Sequence, residues 1–125
     1  APTIQQSQSY DFVPVVTGFS SVTTNACRYV QIGKMVFLTV DIGGTSNATS
    51  FTATLPIAAK ILTGSYIGVD VWTVTDNSVP AASPGRAYVG TANPLLLNID
   101  KTVAGAAWTA AGTKQVRFQL AYECI

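Results

Sequence analysis

From 116 to 124 the side chains alternate without a slip. Val116, Phe118, Leu120, Tyr122 and Cys124 fall on one side, and Arg117, Gln119, Ala121 and Glu123 on the other. A period of two marks a strand with one face in a core, because successive Cβ atoms point to opposite faces of a sheet. Similar short runs recur along the chain, broken by Gly, Pro, Asn, Asp and Ser, and no segment keeps a helical period over three turns. The sequence predicts an all-β chain, an antiparallel β-sandwich or jelly roll of about eight strands, over 13–17, 26–32, 35–42, 50–55, 66–74, 87–90, 95–100 and 116–124.

The breaks between these runs have chemical causes. In "QIGKMV" Gly33 can take the positive φ of a hairpin turn, and "GGTSNATS" is a loop of small polar residues. Pro56 cannot donate to a ladder, so the strand before it should end near Leu55. "TDNSVPAASPGR" reads as the longest surface loop, and "TVAGAAWTAAGTKQ" as a second loop with Trp108 at its crest. A length of 125 residues suits one domain with one core. That domain should span 11–125, with 1–10 as an N-terminal arm or linker.

Composition narrows the functional classes. Charged residues make up 10% of the chain, against about 25% in an average soluble domain, so Thr, Ser, Asn, Gly and Ala must build the surface. The formal charge is +1 with no run of like charges, which argues against a nucleic-acid partner. Apolar runs such as "MVFLTV" are far short of the roughly 20 residues of a spanning helix, so no membrane insertion is expected. There is no His, which removes the commonest general base and the commonest metal ligand. The short acids lie mostly at strand ends or in loops, where turn formation explains them. The reading is a non-enzyme without cofactor or metal. Cys27 and Cys124 could form a disulfide if the first and last strands are neighbours and the compartment oxidises; otherwise they are two buried thiols.

Two strands carry more than a core face. In "SYIGVDVWTV" Ile67, Val69, Val71 and Thr73 share one side, and Tyr66, Gly68, Asp70 and Trp72 the other. If the aliphatic side is core, the second side is a strip of aromatic rings beside a carboxylate. Such a strip suits packing on another strand, an interface between chains, or a saccharide, which stacks C–H faces on rings and donates hydroxyl protons to an acid. Trp108, among small residues, is a second place where a ring could meet a ligand or fold back over the core. In "MVFLTVDI" both sides are apolar, with Met35 and Phe37 on one and Val36, Leu38 and Val40 on the other. Either this strand is central and covered on both faces, or its second dry face meets a partner chain.

The segment "PVVTGFSSVTTNACRYVQIGKMVFLTVDIGGTSNATSFTATLPIAA" resembles C-terminal domains of tailed-bacteriophage tail fibres, tailspikes and related virion surface proteins. The similarity rests on a P-x-x-x-G start, a R-Y-x-x-I-G-K hairpin, a V-x-x-x-x-x-I strand and a short strand ending in Leu-Pro. These fall on Pro14 to Gly18, Arg28 to Lys34, Val36 to Ile42 and Ser50 to Pro56, roughly the first half of the chain. The resemblance implies a β-sandwich homotrimer on a virion, binding host surface saccharide, without cofactors and without catalytic residues to carry over. Met35 and Phe37 would then face the axis or a neighbour while Val36, Leu38 and Val40 fill the core, or the two faces would be exchanged, since the period of two does not say which is which. Cys27 and Cys124 are not part of the pattern. The competing readings are a structural capsid decoration or head-fibre protein, bound to other virion proteins, and a secreted lectin or adhesin.

Overall fold

A computed structural model describes residues 9–61 and 67–125. Among them there are twelve strands and no helix: β1 (Ser9–Phe12), β2 (Val16–Thr17), β3 (Phe19–Asn25), β4 (Cys27–Ile32), β5 (Met35–Ser46), β6 (Thr52–Thr54), β7 (Ile67–Val71), β8 (Thr73–Asp76), β9 (Val79–Pro80), β10 (Gly85–Val89), β11 (Leu96–Asp100) and β12 (Thr113–Glu123). They form two antiparallel sheets packed face to face. A seven-stranded sheet runs β1-β4-β5-β12-β8-β9, with β3 beside the far half of β5, and a five-stranded sheet runs β2-β6-β11-β10-β7.

The alternation of the last strand organises this sandwich. β12 pairs with β5 over its whole length, from Thr113 opposite Thr45 to Glu123 opposite Met35. The inward rows are Val36, Leu38, Val40 and Ile42 on β5 and Val116, Phe118, Leu120 and Tyr122 on β12, all buried. Ala53, Val71, Ala87, Val89, Leu97 and Ile99 close on them from the five-stranded sheet. Each large aliphatic or aromatic side chain so buried contributes roughly 1.5–3 kcal/mol. Tyr122 is tolerated there because its hydroxyl donates to the Ile57 carbonyl at 2.7 Å, and burial pushes its pKa up to about 12.

The expected hairpin is present. Ile32 pairs with Met35 across Gly33 and Lys34, and Gly33 has φ +59°, a conformation glycine adopts without a Cβ penalty. A second tight turn lies within the region read as one long loop. Asn77 and Ser78 have φ 49° and 65°, the pair of positive angles of a type I′ turn, so β8 and β9 form a small hairpin. The 66–74 run breaks at Trp72, where the chain leaves the five-stranded sheet at Val71 and enters the seven-stranded sheet at Thr73.

The two thiols are not bonded. Ala26 and Asp41 exchange backbone hydrogen bonds, which puts Cys27 opposite Val40, and Val40 pairs with Phe118. Cys124 lies six residues beyond Phe118, a separation of about 20 Å at the rise of a strand. β4 and β12 lie on either side of β5 and do not pair with each other, and along it Cys27 sits opposite mid-strand Val40 while Cys124 lies just beyond the Met35 end. Both are free and buried, and burial raises the Cys27 thiol to about 11. The N-terminal boundary also shifts. Ser9 and Tyr10, expected in an arm, pair with Val30 and Tyr29 and belong to the sheet, while 1–8 lie outside the described residues.

Candidate functional site

The sandwich has two outer faces, and their chemistry differs. On the five-stranded sheet, β10 runs between β7 and β11, with Arg86 opposite both Asp70 and Asp100, and Tyr88 opposite both Gly68 and Asn98. Val69, Val71, Ala87 and Val89 turn inward, so this register sends Asp70, Arg86, Tyr88, Asn98 and Asp100 outward. Gly68 has no side chain to cover the flank of Tyr88. The result is a shallow recess of about 420 Å³ lined by Gly68, Val69, Asp70, Arg86, Ala87 and Tyr88. Trp72 is 73% exposed and lies two residues along the same strand direction from Asp70, the most open of the large aromatic side chains described.

Arg86 is held from the β11 side. Its Nε donates to Asp100 Oδ2 at 2.7 Å, its Nη1 to the Val103 carbonyl at 3.5 Å, and its Cζ lies 4.8 Å from the centre of the Tyr88 ring. The Asp100 hydrogen bond raises the guanidinium above its usual pKa. Gly105 makes room for it: at φ +89° its position favours glycine, and a Cβ there would come within 2.7 Å of Arg86 Nη2. Asp70 receives none of these donors. The chain has six acidic residues, and five form ion pairs: Asp11 with Arg28, Glu123 with Lys60, Asp100 with Arg86, Asp76 with Lys101 and Asp41 with Arg117. Asp70 is the sixth, exposed and without an ion pair among the described residues.

Of the residues singled out in the sequence, Asp70 and Trp72 are both exposed, Trp72 at the crossing between the two sheets, and Tyr66 lies outside the described residues. Trp108, expected at the crest of a loop, is folded into the core. Only 2% exposed, it donates its indole Nε1–H to the Ile99 carbonyl at 2.8 Å and packs on Phe51 at 5.6 Å. The small residues around it let the ring fold inward. The strand expected over 87–90 begins at Gly85, which brings Arg86 into it, and the alternation of "GRAYV" places Arg86 and Tyr88 outward.

The buried cation Lys114 was also missed, though it continues the inward row of β12 by one step. Its Nζ donates to the carbonyls of Ser50 at 2.9 Å and Ala48 at 3.3 Å, and sits 4.9, 5.4 and 5.5 Å from the rings of Phe19, Phe51 and Trp108. Burial lowers its pKa to about 8, slightly opposed by Asp76.

The outer face of the seven-stranded sheet is apolar at one end. Ile32 pairs with Met35, Val30 with Phe37, and Phe37 with Ala121, so these side chains form a continuous patch. Met35, Phe37 and Ile32 are 39%, 46% and 56% exposed. Val36, Leu38 and Val40 are the core side of that strand. Toward the other end the face turns polar, with Asp41 accepting from Gln115 at 3.1 Å and Arg117 at 3.2 Å. No protein-family model matches the sequence, and no curated protein matches it significantly.

Proposed function

We propose that the chain is a non-enzymatic virion surface module, a homotrimeric tail-fibre or tailspike receptor-binding domain that recognises host surface saccharide. The observation that carries this reading is the division of labour between the two outer faces. The Val30, Ile32, Met35, Phe37 and Ala121 patch on one sheet suits association with further copies of the chain. The Asp70, Arg86, Tyr88 recess on the other sheet, with exposed Trp72 two residues along the chain from Asp70, combines an aromatic ring with hydrogen-bonding groups, which suits a sugar. A shallow recess binds weakly alone, and linked copies convert that into useful avidity. The resemblance of the first half of the chain to phage fibre and spike domains points the same way. Immunogold labelling of assembled particles tests it: label at fibre or spike tips is expected, whereas label over the capsid face would assign the chain to shell decoration.

A further inference from the structure

The reading of the recess as a saccharide site leaves open which sugars it takes, and the ion-pair pattern narrows that choice. Every acidic side chain except Asp70 has a basic partner. The neighbouring bases are committed elsewhere: Arg86 Nε to Asp100 and Lys101 to Asp76. Arg86 also turns its Nη1 toward Val103 and its Nη2 toward Gly105, on the side away from Asp70. The row Asp70, Arg86, Asp100 therefore carries two carboxylates and one guanidinium, and the open group within it is an anion.

Resting on that reading, we propose that the recess selects neutral or amine-bearing saccharides and rejects carboxylated or sulfated ones, with Asp70 as the selecting residue. An ionised carboxylate only accepts hydrogen bonds. Adjacent sugar hydroxyls or an ammonium group can donate to its two oxygens while the C–H face of the ring rests on Tyr88. Such charge-assisted bonds are roughly twice as strong as neutral ones. An acidic sugar in the same pose would set a second negative charge against Asp70, with Arg86 already held by Asp100, and like charges at contact distance repel. Among the described residues no partner depends on Asp70, and it is exposed, so its charge can be removed without disturbing the sheet.

The test is a glycan array carrying neutral, amine-bearing, carboxylated and sulfated saccharides, probed with the assembled parent protein and with Asp70→Asn. The parent should bind neutral or amine-bearing members and leave the acidic ones unoccupied. Asp70→Asn should weaken an amine-bearing ligand about tenfold, weaken a neutral one less, and raise binding to acidic members, with an unchanged melting temperature. Preference of the parent for acidic glycans, or an unchanged profile in Asp70→Asn, would overturn the selectivity and leave saccharide recognition standing. Silence of the parent toward all four classes would overturn saccharide recognition itself, and the selectivity with it.

Discussion

Asp70 and Arg86 are register partners across β7 and β10, yet the Arg86 Nε bonds Asp100, 2.7 Å away on the opposite neighbour. Position in a sheet thus gives Arg86 two carboxylates to choose from, and the 103–105 turn decides between them. Its Val103 carbonyl accepts Nη1, and Gly105 leaves room for Nη2. The choice builds a rigid platform from Arg86 and Tyr88 and leaves one carboxylate open beside it.

The two sides of β5 should respond differently to mutation. Phe37→Asp places a charge in the exposed apolar patch and should dissociate the assembly, read by light scattering, while the circular dichroism of the protomer stays that of the parent. Leu38→Ala, at a buried position one residue on, should cost about 2–5 kcal/mol of protomer stability in denaturant titration. A parent that is monomeric at micromolar concentration would contradict the interface.

The two tryptophans should separate in the same way. Trp108→Ala empties a core site and removes the donor to Ile99, so a loss of about 3–5 kcal/mol is expected. Trp72→Ala, at an exposed crossing between sheets, should change stability by no more than about 0.5 kcal/mol and show its effect in ligand binding.

Lys114 gives stability a pH dependence of definite sign. Its folded pKa, about 8, lies below the ordinary lysine value of 10.5, so above pH 8 the unfolded chain holds a proton that the folded chain has released. Stability therefore rises with pH through this region, by at most about 1.4 kcal/mol per pH unit. The opposing groups act later. Cys27 is raised from 9.0 to about 11 and Tyr122 from 10.0 to about 12, and each loses stabilising effect as pH rises above its unfolded value. Urea titrations between pH 7.5 and about 9 should show the rise in the parent, and Lys114→Met should flatten it.

The two thiols supply a covalent check. Protein unfolded without reductant should titrate with a thiol reagent at two thiols per chain, as both cysteines are free and lie on strands separated by β5, about six residues apart along it. None titrating would require a bridge that the sheet register does not permit.

The inner faces of the sandwich were legible because burial imposes a period of two on 35–42 and 116–124, and the aliphatic side of 67–71 was read in the same way. Strands with little burial escaped. β3, "FSSVTTN", is mostly exposed and its pairing with β5 shifts register between Phe19 and Ser21 and between Val22 and Thr24, so it shows no alternation. In the site, Asp70 was visible as the outward residue between Val69 and Val71, and Trp72 as the next step of the same alternation. Their setting was not: which neighbour Arg86 bonds depends on a turn nearly twenty residues away in sequence, and the inward fold of Trp108 depends on a carbonyl of β11.

Adsorption of the assembled protein to host cells, compared between the parent and Tyr88→Ala, tests the central claim most directly. Tyr88 lines the recess and lies remote in the fold from the apolar patch on the other sheet. The account expects the parent to adsorb, periodate treatment of the cells to abolish it, and Tyr88→Ala to lose at least about tenfold in affinity with its oligomeric state unchanged. Full adsorption by Tyr88→Ala, or by the parent to periodate-treated cells, would contradict it.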